Sequence, residues 1–263
     1  MERTLSQIFR HLTHELKRPL ASLQQSVHVL LDEISGPLTA EQRRILEIQL
    51  RNAKRVSNCI AQLGDLSQLE DGLLNLQLAN HDLGSLIEEV ISDVQDQSNE
   101  RQIALRVDLP VARPIVECDR DLMCRAIARV VENAIGFSPT GKTVQIGVRQ
   151  VSRVPSQASR VSEPAFNPMG YVVVTIADSG PGIVESQREA VFQPFYQVKD
   201  NDRAYKQGLG IGLTLCRGIV EAHHGAVWVE ANPGGGSLVQ LLFPISAGSE
   251  TQTSRIGTLA KSV

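Results

Sequence analysis

Apolar residues over the first 70 positions recur at helical spacing. Leu5, Phe9, Leu12, Leu16, Leu23, Leu30 and Ile34 follow steps of four and three with a gap near Pro19. The run "SGPLT" has turn chemistry, and Thr39 can cap a second helix in which Leu46, Leu50, Ala53, Val56, Ile60 and Leu63 keep the rhythm. The product is a helical hairpin over residues 1–72 whose apolar stripe is too long to hide within two helices. Two hairpins from two chains would close a four-helix bundle, so a homodimer is expected.

The pattern then changes. Leu74, Leu76 and Leu78 alternate like a short strand within a linker at 73–81. Asp82 can cap the helix "LGSLIEEVISDVQDQSNER". Strand-like and helix-like stretches then mix as far as residue 246, which predicts a two-layer α+β sandwich over 82–246. Residues 152–170 are polar, hold three prolines and read as a long surface loop. Residues 247–263 have too little apolar content to pack and read as a disordered tail.

Composition narrows the classes. A chain of 263 residues, 42% hydrophobic and 21% charged, can bury a core in one large or two ordinary domains. A net charge of −3 gives no reason to expect nucleic acid or an anionic membrane as partner. Cys59, Cys118, Cys124 and Cys216 are scattered, without a Cys-x-x-Cys pair, as suits free thiols in a reducing compartment. No run of 18 apolar residues and no signal-peptide layout occurs. The expectation is a cytoplasmic stretch without membrane contact, whose longer parent could be anchored. With Met1 only 13 residues before His14, a signal would come from an upstream sensor domain or a sensor protein.

Candidate chemistry lies in five stretches. "FRHLTHELKRPLASL" holds His11 and His14. "DSGPGI" (Asp178 to Ile183) follows an apolar strand, and "GLGIGL" (Gly208 to Leu213) opens an apolar helix. Glycines let backbone approach a ligand, and a helix N-terminus favours phosphate, yet either cluster alone is more often just a turn. The second sits in neither a Rossmann unit nor a Walker A loop. In "RVVENAIGFSP", Glu132 and Asn133 could hold Mg²⁺ against phosphate, or Asn133 could be a plain surface amide. "FQPFYQVKDNDRAYKQ" has two aromatic anchors, Phe192 and Phe195, before a polar run, which is how a mobile lid would be written.

In order and spacing these stretches resemble the sensor histidine kinases, within the wider GHKL ATPase group. "ENAIGFSP" resembles the N box, "DSGPGI" the G1 box, "FQPFY" the F box, "GLGIGL" the G2 box and "HELKRPL" the H box. The resemblance covers roughly residues 5–245. It implies a dimeric four-helix hairpin bundle followed by a GHKL-type sandwich. It implies ATP and Mg²⁺ as cofactors, with Asp178 on the adenine amino group and Asn133 on the metal, Glu132 being a secondary metal candidate. Gly180, Gly182 and Phe195 would join the nucleotide site, and Gly208, Gly210 and Gly212 would let the lid close on the phosphates. His14 would be the phosphoacceptor, because Glu15 and Pro19-Leu20 align only with it, and Glu15 would be its general base. Helix phase agrees: with Leu12 and Leu16 at d and a, His14 is an f position facing solvent.

Three positions depart from the family. Arg18 stands four residues after His14, where threonine or asparagine usually positions water for regulator dephosphorylation. Arginine has no acceptor atom for that task. It is either a solvated side chain or an active partner of phosphate. Arg129 and Gly136 replace an asparagine and a lysine around Asn133, which implies loss of a metal contact and of a phosphate contact. The implied function is ATP-dependent autophosphorylation at His14 and transfer to an aspartate of a response-regulator receiver domain. The alternative is a nucleotide-binding dimeric module with weak or no autokinase activity.

Overall fold

The computed structural model describes residues 2–34, 36–72, 74–158, 167, 169–198 and 209–246, and the side chains of residues 2–12 and 14 lie outside that description. Most of the 152–170 loop's far end, Gly208 and the 247–263 tail are likewise outside the described residues. The chain forms two compact units, Met1–Leu74 with Phe192–Leu215, and Asn75–Val191 with Cys216–Val263.

In the first unit, α1 (Glu2–Leu31) and α2 (Ala40–Glu70) form the hairpin. Thr39 caps α2 as expected. Its hydroxyl accepts from the Gln42 N–H at 3.2 Å, while the Gln42 side chain accepts from the Thr39 N–H at 2.8 Å. Along α1, Thr13, Leu20, Gln24, Val27 and Leu31 form one line and are buried or half-buried. Gln24 donates to the Ser57 hydroxyl at 3.0 Å, and Thr13 packs where Gly64 leaves room on α2, a Cβ there coming within 3.1 Å of the threonine methyl. Leu16, Leu23 and Leu30 fall on a neighbouring line and stay 38–48% exposed. The stripe therefore splits in two, because one partner helix can cover only about one side of another. Elsewhere in this unit Leu66 is buried with Ile211 and Leu215, flanked by Leu63 and Leu209.

In the second unit a five-stranded sheet runs in the order β2-β4-β5-β7-β6. Its strands are β2 (Ala104–Asp108), β4 (Thr143–Val151), β5 (Tyr171–Ala177), β6 (Ala226–Ala231) and β7 (Ser237–Pro244), and only β2 and β4 pair in parallel. One sheet face carries Ile146, Val174, Ile176, Val239, Leu241 and Phe243, all buried. Helix α5 (Arg120–Phe137) packs on β4 and β5 and on α3 (Leu83–Asp93), burying Met123, Ile127, Val130, Val131 and Ile135. At about 25 cal/mol per Å², an apolar layer closed on both sides is the main stabilising term here. The opposite face bears Thr175, Gln240 and Trp228 in register, and the start of the 152–170 loop covers part of it: Ala158 is buried with Tyr171, Val173, Trp228 and Leu242.

Two expected elements differ. Residues 74–78 are not a strand; β1 is Ala79–Asp82, paired antiparallel with β3 (Ile115–Cys118). The reason is a contact distant in the chain: the Gln77 N–H is taken by the Asp119 carboxylate at 2.9 Å instead of a ladder partner. The helix capped by Asp82 also divides, α3 ending at Asp93 and α4 running Gln95–Glu100, because Val94 (φ −94°, ψ 1°) leaves helical geometry.

Candidate functional site

Asp178 lies just past the end of β5 and is buried. Its Oδ1 accepts from the Gly180 N–H at 2.7 Å and the Ser237 N–H at 3.1 Å. The Asn232 side chain donates to the Asp178 carbonyl at 2.9 Å. Two glycines make room for this. A Cβ on Gly236 would lie 2.2 Å from the Asp178 carbonyl oxygen, and one on Gly180 2.9 Å from Oδ1. Gly182, at φ +78°, packs on the Gly236 backbone. The carboxylate is thus held in one orientation by backbone donors. Ser237, Gly236 and Asn232 were missed as site residues; the run "NPGGGS" was their signal.

Asn133 is half-buried on α5, off the helix's apolar stripe, and its side chain makes no hydrogen bond among the described residues. Arg129, one turn earlier, pairs with Glu132 at 3.1 Å. Glu132 therefore enters any metal shell only at the expense of that ion pair. The helix end is tied to the glycine-rich turn by Ser138, whose hydroxyl accepts from the Ser179 N–H at 3.2 Å. Gly136, three residues after Asn133, has its carbonyl bonded by the Arg101 guanidinium at 2.8 Å, a contact the sequence did not reveal.

The remaining nucleotide-box residues belong to the other unit. Phe192 is buried, but Phe195 is 53% exposed at φ +63°, so only the first of the two expected aromatic anchors is one. The cause is backbone packing: Gly210, at φ +70°, presses so closely on the chain at Phe195 and Tyr196 that a Cβ would come within 2.7 Å of the Tyr196 carbonyl. Gly212 opens α6 (Gly212–Ala222).

On α1, Thr13 faces α2, so position 14 sits about 100° round the helix from that line. Glu15 and Arg18 are exposed. Pro19 continues the helix but removes the N–H that would bond the Glu15 carbonyl. Burial pushes the Cys118 and Cys216 thiols up to about 12 and Cys124 to about 11, which leaves all three protonated and poor nucleophiles at neutral pH. No cluster of three or more His, Cys, Asp or Glu able to hold a metal occurs among the described residues, and no described helix is long and apolar enough to cross a membrane. A cleft of about 440 Å³ on the sheet's outer face, lined by Arg149, Thr175, Trp228, Glu230 and Gln240, contains none of the expected site residues.

Known families match these two regions. The family described as "His Kinase A (phospho-acceptor) domain" matches residues 4–72, and "Histidine kinase-, DNA gyrase B-, and HSP90-like ATPase" matches residues 118–247. The chain is 28% identical over 247 residues to the sensor histidine kinase TmoS of Ectopseudomonas mendocina, covering 94% of this chain and 24% of that protein. It is 28% identical over 235 residues to the adaptive-response sensory kinase SasA of Synechococcus sp. (strain JA-3-3Ab), covering 89% of this chain and 58% of that one. The chain thus spans from a quarter to under two thirds of these relatives' lengths. Among solved structures, full-length ShkA in complex with AMPPNP superposes with a TM-score of 0.70 at 20% identity, over 91% of this chain and 46% of that one, a likeness of fold. With a phosphoacceptor hairpin and a GHKL-type ATPase domain in this order, the chain belongs to the sensor histidine kinases of two-component systems.

Proposed function

We propose that this chain binds ATP with Mg²⁺, transfers the γ-phosphoryl group to a ring nitrogen of His14, and passes it to an aspartate of a response-regulator receiver domain. The observation that carries the reading is the fixed Asp178 carboxylate. A carboxylate only accepts hydrogen bonds, so it suits the adenine amino group and repels the carbonyl that guanine presents at the same place. Asn133 offers a neutral amide oxygen without a hydrogen-bond partner among the described residues, which fits a Mg²⁺ ligand. When bound, Mg²⁺ would neutralise charge on the phosphate oxygens. Gly208, Gly210 and Gly212 would let the lid close on the nucleotide, with Gly180, Gly182 and Phe195 completing its surroundings.

At the acceptor, Glu15 takes the proton from His14 as the new P–N bond forms and the bond to ADP breaks. Arg18 lacks the acceptor atom that would orient water on a phosphorylated regulator, so phosphatase activity by that route is weak. The exposed line Leu16, Leu23 and Leu30 supports a homodimer, each hairpin covering the other's apolar side. The site of action is the cytoplasm, and input reaches the hairpin from an upstream sensor domain or sensor protein.

The test is incubation with Mg²⁺ and γ-labelled ATP. Acid-labile, base-stable label is expected on the wild-type chain and none on His14→Gln. Persistent labelling of His14→Gln would refute the site, and nucleotide binding without label would leave a non-catalytic module.

A further inference from the structure

On α5, Asn133 and Gly136 lie one turn apart on the same side of the helix. Gly136 contributes no side chain there. An ideal Cβ at that position would meet a single neighbour, the Arg101 Nη1, at 3.7 Å. Arg101 reaches it from the end of α4, 35 residues away in sequence, and Nη1 donates to the Gly136 carbonyl at 2.8 Å. That carbonyl belongs to the last turn of α5, where it has no intrahelical partner.

The two arginines one turn either way from Asn133, Arg129 on α5 and Arg101 at Gly136, are in different electrostatic states. Arg129 is neutralised by Glu132 at 3.1 Å. Arg101 is exposed, forms no ion pair among the described residues and spends one N–H on the helix end. A guanidinium has five N–H donors in a planar fork, so most of its donors remain for an anion. A cation without an ion pair among the described residues, anchored to backbone one helical turn from Asn133, is what a nucleotide's phosphates require.

We infer that Arg101 is a phosphate-binding residue of the nucleotide site, its guanidinium occupying the place that a side chain at position 136 would fill. This rests on the reading of Asn133 and Asp178 as an adenine-nucleotide site. It differs from simple capping of α5, which would stabilise the helix end without distinguishing a phosphorylated ligand from a bare nucleoside.

NMR titration with ADP and with adenosine separates the two, since it reads both micromolar and millimolar affinities. Arg101→Ala is expected to weaken ADP about tenfold while adenosine changes less than twofold. Arg101→Lys should retain most of the ADP affinity. Adding Gly136→Lys to Arg101→Ala should restore it, because the new side chain starts where the guanidinium lay. Unchanged ADP affinity in Arg101→Ala would overturn the inference, and so would an equal loss of ADP and adenosine, which would mark a purely structural role. Failure of the nucleotide-site reading looks different: the wild-type chain would then bind neither ligand, and the inference would fall with it.

Discussion

The sandwich and the hairpin close their apolar faces in opposite ways. In the sandwich Ile127, Val172, Leu241 and Leu242 have no exposed surface, and Phe243 has 1%. In the hairpin Leu23, Ile45 and Val56 are 48%, 49% and 47% exposed, and Ile34 is 73% exposed. A sheet with helices on one face can bury that whole face with its own chain. A long helix has more apolar width than one antiparallel neighbour covers, so its second line is left for more protein. One unit's stability is internal, while the other's depends on what it meets. That division suits a signalling protein, because an unclosed helical face can be repacked without disturbing the nucleotide domain.

The largest effect expected from this contrast is in the sandwich. Phe243→Ala empties a fully buried volume and should cost about 3–5 kcal/mol. The chain's single tryptophan, Trp228 on β6, reports that loss through its fluorescence in urea. A change under ~1 kcal/mol would mean that the layer is less closed than its geometry. The next effect belongs to the hairpin. Leu23→Glu places a charge on the uncovered line, and two-fold symmetry counts it twice. The dissociation constant of the proposed homodimer should rise about a hundredfold, about 2.7 kcal/mol, by sedimentation equilibrium, with the Trp228 unfolding midpoint unchanged. A wild-type chain that sediments as a monomer would remove the proposed dimer.

What could be read from the sequence follows the same line. The hairpin's signals are local, an apolar rhythm and a capping box four residues long, so α2 and its Thr39 cap were legible. Asp82 as the cap of α3 was legible for the same reason. What escaped depended on partners distant in the chain. The strand expected at Leu74–Leu78 gave way to β1 because Asp119, 42 residues on from Gln77, takes its N–H. The Ser237 N–H on Asp178 spans 59 residues, and Arg101 on Gly136 spans 35. Periodicity carries no information on such pairs.

Helix caps allow a finer comparison, because both units use them. In the sandwich Asp119 caps α5, accepting from the Leu122 N–H at 3.1 Å while also holding Gln77. Burial alone would raise its pKa, but the backbone N–H groups of Gln77 and Leu122 and the nearby His223 ring bring it below the ordinary carboxylate value. A carboxyl depressed on folding contributes stability above its unfolded pKa of about 3.9, lost as pH falls through the lower folded value. Asp119→Asn should therefore cost about 1–2 kcal/mol at neutral pH and flatten the acid side of the stability profile. An acid limb as steep as in the wild-type chain would remove the charge from that account.

The hairpin's cap should matter less. Thr39→Ala removes the hydroxyl that accepts from Gln42, but the site is exposed and water can take its place. The expected loss is about 1 kcal/mol or less, seen as faster amide exchange over Ala40–Arg43. Trp228 lies in the other unit, so its unfolding midpoint should stay where it is. If that midpoint moves with Thr39→Ala, the two units share their stability. The open apolar line of the hairpin would then tax the sandwich as well, and the separation between a self-sufficient domain and a partner-dependent one would not hold.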